Sequence, residues 1–95
     1  MRGPTADELT LSLGGLRRGA HAEVVGLAPD RATTGLSPYE LERRLIEMGL
    51  VEGARIEVLH EGFPRRDPIA VRVADHTVAL RRAEADAVLV RRIGG

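Results

Sequence analysis

The sequence of 95 residues contains no cysteine, no tryptophan and no lysine, and only two aromatic side chains. Without cysteine there is no disulfide, no thiolate zinc site and no cysteine nucleophile. Scarce aromatics argue against an RNA-binding barrel and against a groove for proline-rich peptides, because both kinds of site stack their ligand on aromatic rings. A net charge of +0 also lacks the basic excess typical of nucleic-acid binders.

Long hydrophobic runs are missing as well. Every uninterrupted apolar run is far shorter than the roughly 20 residues needed to span a bilayer. Asp7 and Glu8 interrupt the N-terminal region where a signal peptide would need an apolar block. We therefore expect a cytoplasmic protein.

The composition that remains is that of one small globular domain. Apolar residues make up 43% of the chain, and a chain of this mass buries about two thirds of its surface on folding. We expect residues 1–8 to form a flexible leader and residues 9–93 to form a single domain.

One helix is specified at both ends, from residue 38 to about 48. Ser37 is the expected N-cap, and Glu40 three residues later completes a capping box. Gly49 suits the position after the helix, where a Schellman motif requires a positive φ. The apolar positions expected to face the core are Leu41, Leu45, Ile46 and Met48.

The rest of the chain reads as short strands. Leu9, Leu11 and Leu13 alternate with polar residues, which predicts a short strand or extended arm. Asp75–His76 is the expected two-residue turn of a hairpin. Further strands are predicted over 20–27, 55–60, 69–74, 77–81 and 88–93, with one helical turn over 82–87. The pattern predicts a mainly β protein, a small closed β-barrel with one inserted α-helix. Its expected core includes Ile56, Val58, Ile69, Val71, Val73, Val78 and Leu80.

No enzyme motif is present. The chain has no Gly-x-Ser-x-Gly elbow and no phosphate-binding glycine loop. His21, His60 and His76 lack the spacing of metal ligands on a helix, so we favour structural or surface histidines over a native metal site. We expect no catalytic residues, no cofactor and no metal ligands.

Phe63 has two interpretations. It lies in a predicted loop between Gly62 and Pro64, followed by Arg65 and Arg66. It could close one end of the barrel as a lid, or it could anchor a protein partner, since aromatics and arginine dominate interface hot spots. The expected partner-binding residues are Phe63, Arg65 and Arg66, with Arg43 and Arg44 as the second choice.

Four segments of the chain carry motifs of a known family, at residues 16–24, 41–53, 67–73 and 78–85. Residues 41–53, LERRLIEMGLVEG, resemble the Arg-Leu-x-x-Met/Leu-Gly-Leu-x-x-Gly stretch of FeoA-like domains, the small accessory proteins of ferrous iron transport. Residues 67–73 and 78–85 resemble its Pro-Ile/Val strand and its Ala-Leu-Arg-x-x-Glu-Ala segment. Residues 16–24 resemble its opening Leu-x-x-Gly-x-x-x-x-Val. The order and spacing of the segments carry the resemblance.

The resemblance implies an SH3-like barrel that contacts the cytoplasmic part of FeoB, the membrane ferrous iron transporter with a GTP-binding domain. It also leaves open a metal-responsive regulatory module, because the C-terminal domain of iron-dependent repressors is a related barrel. The family often has a glycine where this chain has Asp75–His76. No metal-ligand set carries over residue by residue.

Overall fold

Six strands and two helices build the fold of residues 10–94, the part of the chain that the computed structural model describes. The strands are β1 (Leu11–Ser12), β2 (His21–Leu27), β3 (Arg55–Glu61), β4 (Ile69–Val73), β5 (His76–Leu80) and β6 (Val88–Arg92). Helix α1 spans Pro38–Glu47 and the short helix α2 spans Arg82–Ala85. Two single 3₁₀ turns lie at Leu13–Gly15 and Pro29–Arg31.

All strands belong to one antiparallel sheet in the order β1-β6-β2-β3-β4-β5. Irregular pairing at Val24/Gly26 and at Val58/His60 interrupts the register of β2 and β3, and such bulges bend a sheet. Alternate side chains point into one apolar core, as at Val71 and Val73 on either side of the exposed Arg72. The mainly β architecture with one inserted helix is confirmed.

Both ends of α1 form as the sequence predicts. The Glu40 backbone N–H donates to the Ser37 hydroxyl at 3.2 Å, and the Ser37 N–H donates to the Glu40 carboxylate at 3.3 Å. Gly49 has a φ of +90°, and the Leu50 N–H donates to the Leu45 carbonyl at 3.1 Å. The capping box and the Schellman motif are therefore both present.

The sequence prediction places one residue too many on the core-facing side of α1. Leu41 and Leu45 are fully buried and Met48 packs partly against the core, but Ile46 is 46% exposed. Each helical residue turns the side chain by about 100°, so Ile46 points away from the face that Leu41 and Leu45 share. Its placement among the core-facing residues is corrected.

The hairpin between β4 and β5 turns one residue earlier than predicted. Val73 pairs with His76, so the two turn residues are Ala74 and Asp75 rather than Asp75 and His76. Ala74 takes the positive φ of 56°. The shift places His76 in β5, where its Nε2 lies 3.0 Å from the Met48 carbonyl at the end of α1. This contact joins residues 28 positions apart, so a local turn pattern contains no sign of it.

The N-terminal arm is shorter than predicted. Strand β1 ends at Ser12, and Leu13 begins a 3₁₀ turn with a fully buried side chain. Leu9 and the predicted leader lie outside the described residues.

Candidate functional site

Residues 62–68, the connection between β3 and β4, present the one phenylalanine of the chain to solvent. Phe63 is 94% exposed, and Pro64, Arg65 and Arg66 are exposed beside it. The interpretation of Phe63 as a barrel lid is therefore wrong, because a lid would be buried against the core. Phe63, Arg65 and Arg66 are called the loop surface below.

The base of this loop is closed by its own backbone. The Gly62 N–H donates to the Pro68 carbonyl at 2.8 Å. A Cβ added at Gly62 would lie 2.5 Å from the Asp67 carbonyl oxygen. Only glycine allows this close approach, so the two ends of the loop are held together.

Arg82, the first residue of α2, fixes the loop from the other side. Its backbone N–H donates to the Asp67 carboxylate at 2.9 Å, and its Nε donates to the Arg66 carbonyl at 2.6 Å. The remaining guanidinium nitrogens donate to the Glu61 carboxylate at 2.6 Å and to the Gly14 and Leu16 carbonyls at 2.7 and 3.1 Å. One side chain thus ties the loop, the end of β3 and the turn after β1 together.

Glu61 balances the charge of this cluster. Besides Arg82 it accepts the Arg18 backbone N–H at 3.3 Å and lies 3.6 Å from the Arg17 guanidinium. Its side chain is 16% exposed. Nothing in the sequence distinguishes Arg82, the first residue of the predicted helical turn, from Arg81, the last residue of the predicted strand before it.

The second-choice residues, Arg43 and Arg44, lie on α1 and have intramolecular partners. Arg43 Nε lies 3.6 Å from Glu47, one helical turn away. Arg44 Nε donates at 2.8 Å to Glu84, a buried carboxylate on α2 that also accepts the Arg81 N–H. Arg44 therefore joins α1 to α2.

The structure divides the five predicted residues into two groups on either side of α2. Arg82 contacts the loop that carries the loop surface, whereas Glu84 contacts α1. Residues two positions apart on a helix point about 160° apart, so the two groups are separate surfaces.

The histidines do not assemble a metal site within residues 10–94, where no three histidine or carboxylate side chains cluster. His21 lies 3.7 Å from Glu57. His76 faces the Met48 carbonyl and lies 3.6 Å from Asp75. His60 adjoins Glu61, whose oxygens already accept from Arg82 and the Arg18 N–H. These donor sets do not fit a tightly held metal ion.

None of the helices in the described part of the chain combines the length and the apolar character that crossing a membrane requires.

The antiparallel sheet with one long inserted helix defines a small SH3-like domain. A family model described as the FeoA domain matches residues 11–92. The chain therefore belongs to the FeoA domain family, and the resemblance in the sequence is confirmed. Among curated proteins, none matches the chain.

Solved structures agree with this assignment. FeoA from Chlorobium tepidum is 33% identical with a TM-score of 0.70, over 90% of this chain and 72% of that one. Zinc-complexed FeoA from Stenotrophomonas maltophilia is 28% identical with a TM-score of 0.68, over 84% of this chain and 88% of that one. The latter is described as a prokaryotic SH3 domain protein and a possible ferrous iron transport activating factor. The predicted SH3-like fold is thereby confirmed.

A transcriptional regulator has a similar fold. A manganese-dependent transcriptional repressor is 23% identical with a TM-score of 0.66, over 95% of this chain and 48% of that one. At this identity the likeness shows the shared fold alone.

Proposed function

We propose that this protein is a cytoplasmic, non-enzymatic accessory of ferrous iron transport that binds the cytoplasmic part of an FeoB-type transporter through its loop surface. Membership of the FeoA family supports the link to iron transport. The observation that carries the choice of surface is Phe63, 94% exposed on a loop whose base is fixed.

Burial of Phe63 in a partner is favourable. An aromatic side chain of this size gains about 1.5–3 kcal/mol when it moves from water into an apolar site. The core of the described chain is built from aliphatic side chains and does not use this ring. Phe63 is therefore available as an anchor.

The fixed loop base lowers the entropic cost of binding. Gly62 and Arg82 hold the loop before any partner arrives, and ordering a mobile loop on binding would weaken the affinity. Arg65 and Arg66 extend from the same loop and are exposed. Their guanidinium groups can donate hydrogen bonds to carboxylates or carbonyls around the aromatic anchor.

The experiment is a titration of the protein with the cytoplasmic part of the transporter, with and without guanine nucleotide. Hydrogen exchange or NMR then maps the contact. We expect protection or shift changes at residues 62–67 and unchanged signals at Tyr39 and Ile46 on α1. Absence of binding in both nucleotide states would contradict the proposal, and changes confined to α1 would contradict the choice of surface.

The regulatory alternative predicts a different outcome. A metal-responsive module would bind a divalent metal with defined stoichiometry and show no affinity for the transporter. The shared fold with the manganese-dependent repressor is compatible with it, but the histidine and carboxylate positions in residues 10–94 do not support it.

A further inference from the structure

An open cavity lies where β2 begins and β6 ends. Its volume is about 280 Å³, close to the lower end of the range found for small-molecule sites. The buried residues Leu16 and Ala20 contribute apolar surface to it. Three arginines also line it, Arg17, Arg18 and Arg92, whereas no carboxylate of the described part of the chain does so. It is called the arginine cavity below.

The two chain segments that carry these arginines are held in place by hydrogen bonds of their backbone. In the turn before β2, the Ala20 N–H donates to the Arg17 carbonyl at 3.0 Å. The Arg18 N–H of the same turn donates to the Glu61 carboxylate at 3.3 Å. Arg92 is the last residue of β6 and is paired with β2. A ligand therefore has to order side chains but not backbone, which lowers the entropic cost of binding.

The positive charge of the arginine cavity is not balanced within the part of the chain that the structure describes. There, neither Arg18 nor Arg92 forms an ion pair with a carboxylate. Arg17 lies 3.6 Å from Glu61, but the same carboxylate pairs with Arg82 at 2.6 Å. Three guanidinium groups thus share part of one negative charge, and the cavity favours an anion.

We propose that the arginine cavity binds a phosphate group, carried either by a soluble phosphate or by a lipid headgroup. A phosphate monoester has about two negative charges, so it offsets more of the unbalanced charge than a single carboxylate does. Planar guanidinium groups donate parallel hydrogen bonds to phosphate oxygens. None of the lining residues belongs to the loop surface, so the proposal does not depend on the transporter contact.

Binding of a phosphate ion alone is expected to be weak. The three arginines are exposed, and water and salt screen exposed ion pairs. We expect a dissociation constant on the order of 1 mM for inorganic phosphate at low ionic strength. Added sodium chloride should weaken the binding, because the attraction is electrostatic.

An NMR titration with inorganic phosphate at roughly pH 8, where the dianion predominates, tests the proposal. We expect saturable shift changes at the backbone amides of Gly19 and Ala20, which line the cavity. Arg18→Gln with Arg92→Gln should weaken binding at least about tenfold, because two of the three donors are lost. An acetate titration at the same ionic strength should show weaker binding, because acetate carries a single charge.

A matched control separates the cavity from the overall charge of the protein. Arg31→Gln with Arg55→Gln makes the same charge change at two exposed arginines that do not line the cavity. This variant should bind phosphate like the native protein. Equal losses in the two double variants would overturn the proposal, because they would show attraction to net charge alone.

Cosedimentation with vesicles distinguishes the two sources of phosphate. Vesicles of phosphatidylcholine with phosphatidic acid are compared with vesicles of phosphatidylcholine alone. Saturable binding of free phosphate supports a soluble ligand. Retention on the acidic vesicles that is lost only in the Arg18→Gln, Arg92→Gln variant supports a lipid headgroup. Absence of binding in both experiments, or acetate that binds as tightly as phosphate, would overturn the proposal.

Discussion

At the scale of single residues, helix α1 begins and ends where individual side chains satisfy its backbone. Ser37 accepts a free N–H of the first turn, and Gly49 adopts the positive φ that lets the Leu45 carbonyl accept from Leu50. Both effects are local, and for that reason both were visible in the sequence.

Ser37→Ala removes the hydroxyl that caps the helix. We expect the free energy of unfolding to fall by about 0.5–2 kcal/mol, because the Glu40 N–H loses its acceptor. Urea denaturation measures the change. Ser37→Asp retains an acceptor and should remain close to the native protein, and an equal loss in both variants would contradict the capping account.

Gly49→Val introduces a β-branched side chain at a φ of +90°. We expect a loss of at least about 2 kcal/mol, since this backbone region is strained for such residues. The new Cβ would also lie 3.3 Å from Val73 Cγ1. Gly49→Ala should cost less, because it lacks the β-branch. Thermal and urea unfolding that leave the valine variant as stable as the native protein would refute the role of Gly49.

At the scale of elements, the short helix α2 connects the separate parts of the domain. Arg82 bonds to the loop at 62–68, to Glu61 on β3 and to the turn after β1, while Glu84 bonds to Arg44 on α1. Helix α2 therefore holds the loop surface in place and docks α1.

Arg82→Leu tests this connection. We expect a loss on the order of 3 kcal/mol, because several acceptors lose a charged donor at once. The loop should also show faster hydrogen exchange at residues 62–67. Arg81→Leu changes the exposed neighbour of the same type and should stay within about 0.5 kcal/mol of the native protein. Similar effects at the two positions would contradict the account.

The elements themselves could be predicted because their signals are short in range. The capping residues Ser37 and Gly49 predicted the ends of α1, and the alternation of apolar side chains at Ile69, Val71 and Val73 predicted β4. The hairpin turn was misplaced by one residue because Val73 pairs with His76 and the positive φ falls on Ala74, a residue type that a turn pattern does not favour at such a position. Arg82 was missed because its acceptors lie up to 68 positions away.

At the scale of the whole molecule, the two aromatic residues lie on different surfaces. Phe63 belongs to the loop surface and Tyr39 lies on the outer face of α1, and both are exposed. The sequence identified Phe63, Arg65 and Arg66 as one loop. It did not separate them from Arg43 and Arg44, because that separation depends on where α2 packs.

We predict that the isolated protein has no high-affinity ferrous iron site. His21 and His76 contact other residues of this chain, and no histidine of residues 10–94 lies in a cluster of three metal-ligating side chains. Tight binding of a transition metal requires several converging donors. Anaerobic calorimetry with Fe²⁺ should show no saturable binding in the micromolar range. A one-to-one site that is lost in His60→Ala would contradict this prediction and favour the regulatory alternative.

The central claim is that the loop surface binds the transporter, and the most direct measurement compares two double variants. Phe63→Ala with Arg65→Ala should weaken binding to the cytoplasmic part of the transporter at least tenfold, about 1.4 kcal/mol. Tyr39→Ala with Arg43→Ala removes an aromatic and an arginine from the exposed face of α1 and should bind like the native protein. Melting temperatures should change by no more than about 4 °C in either variant, because all four side chains are exposed. Unchanged affinity in the loop variant, or a tenfold loss in the α1 variant, would contradict the account.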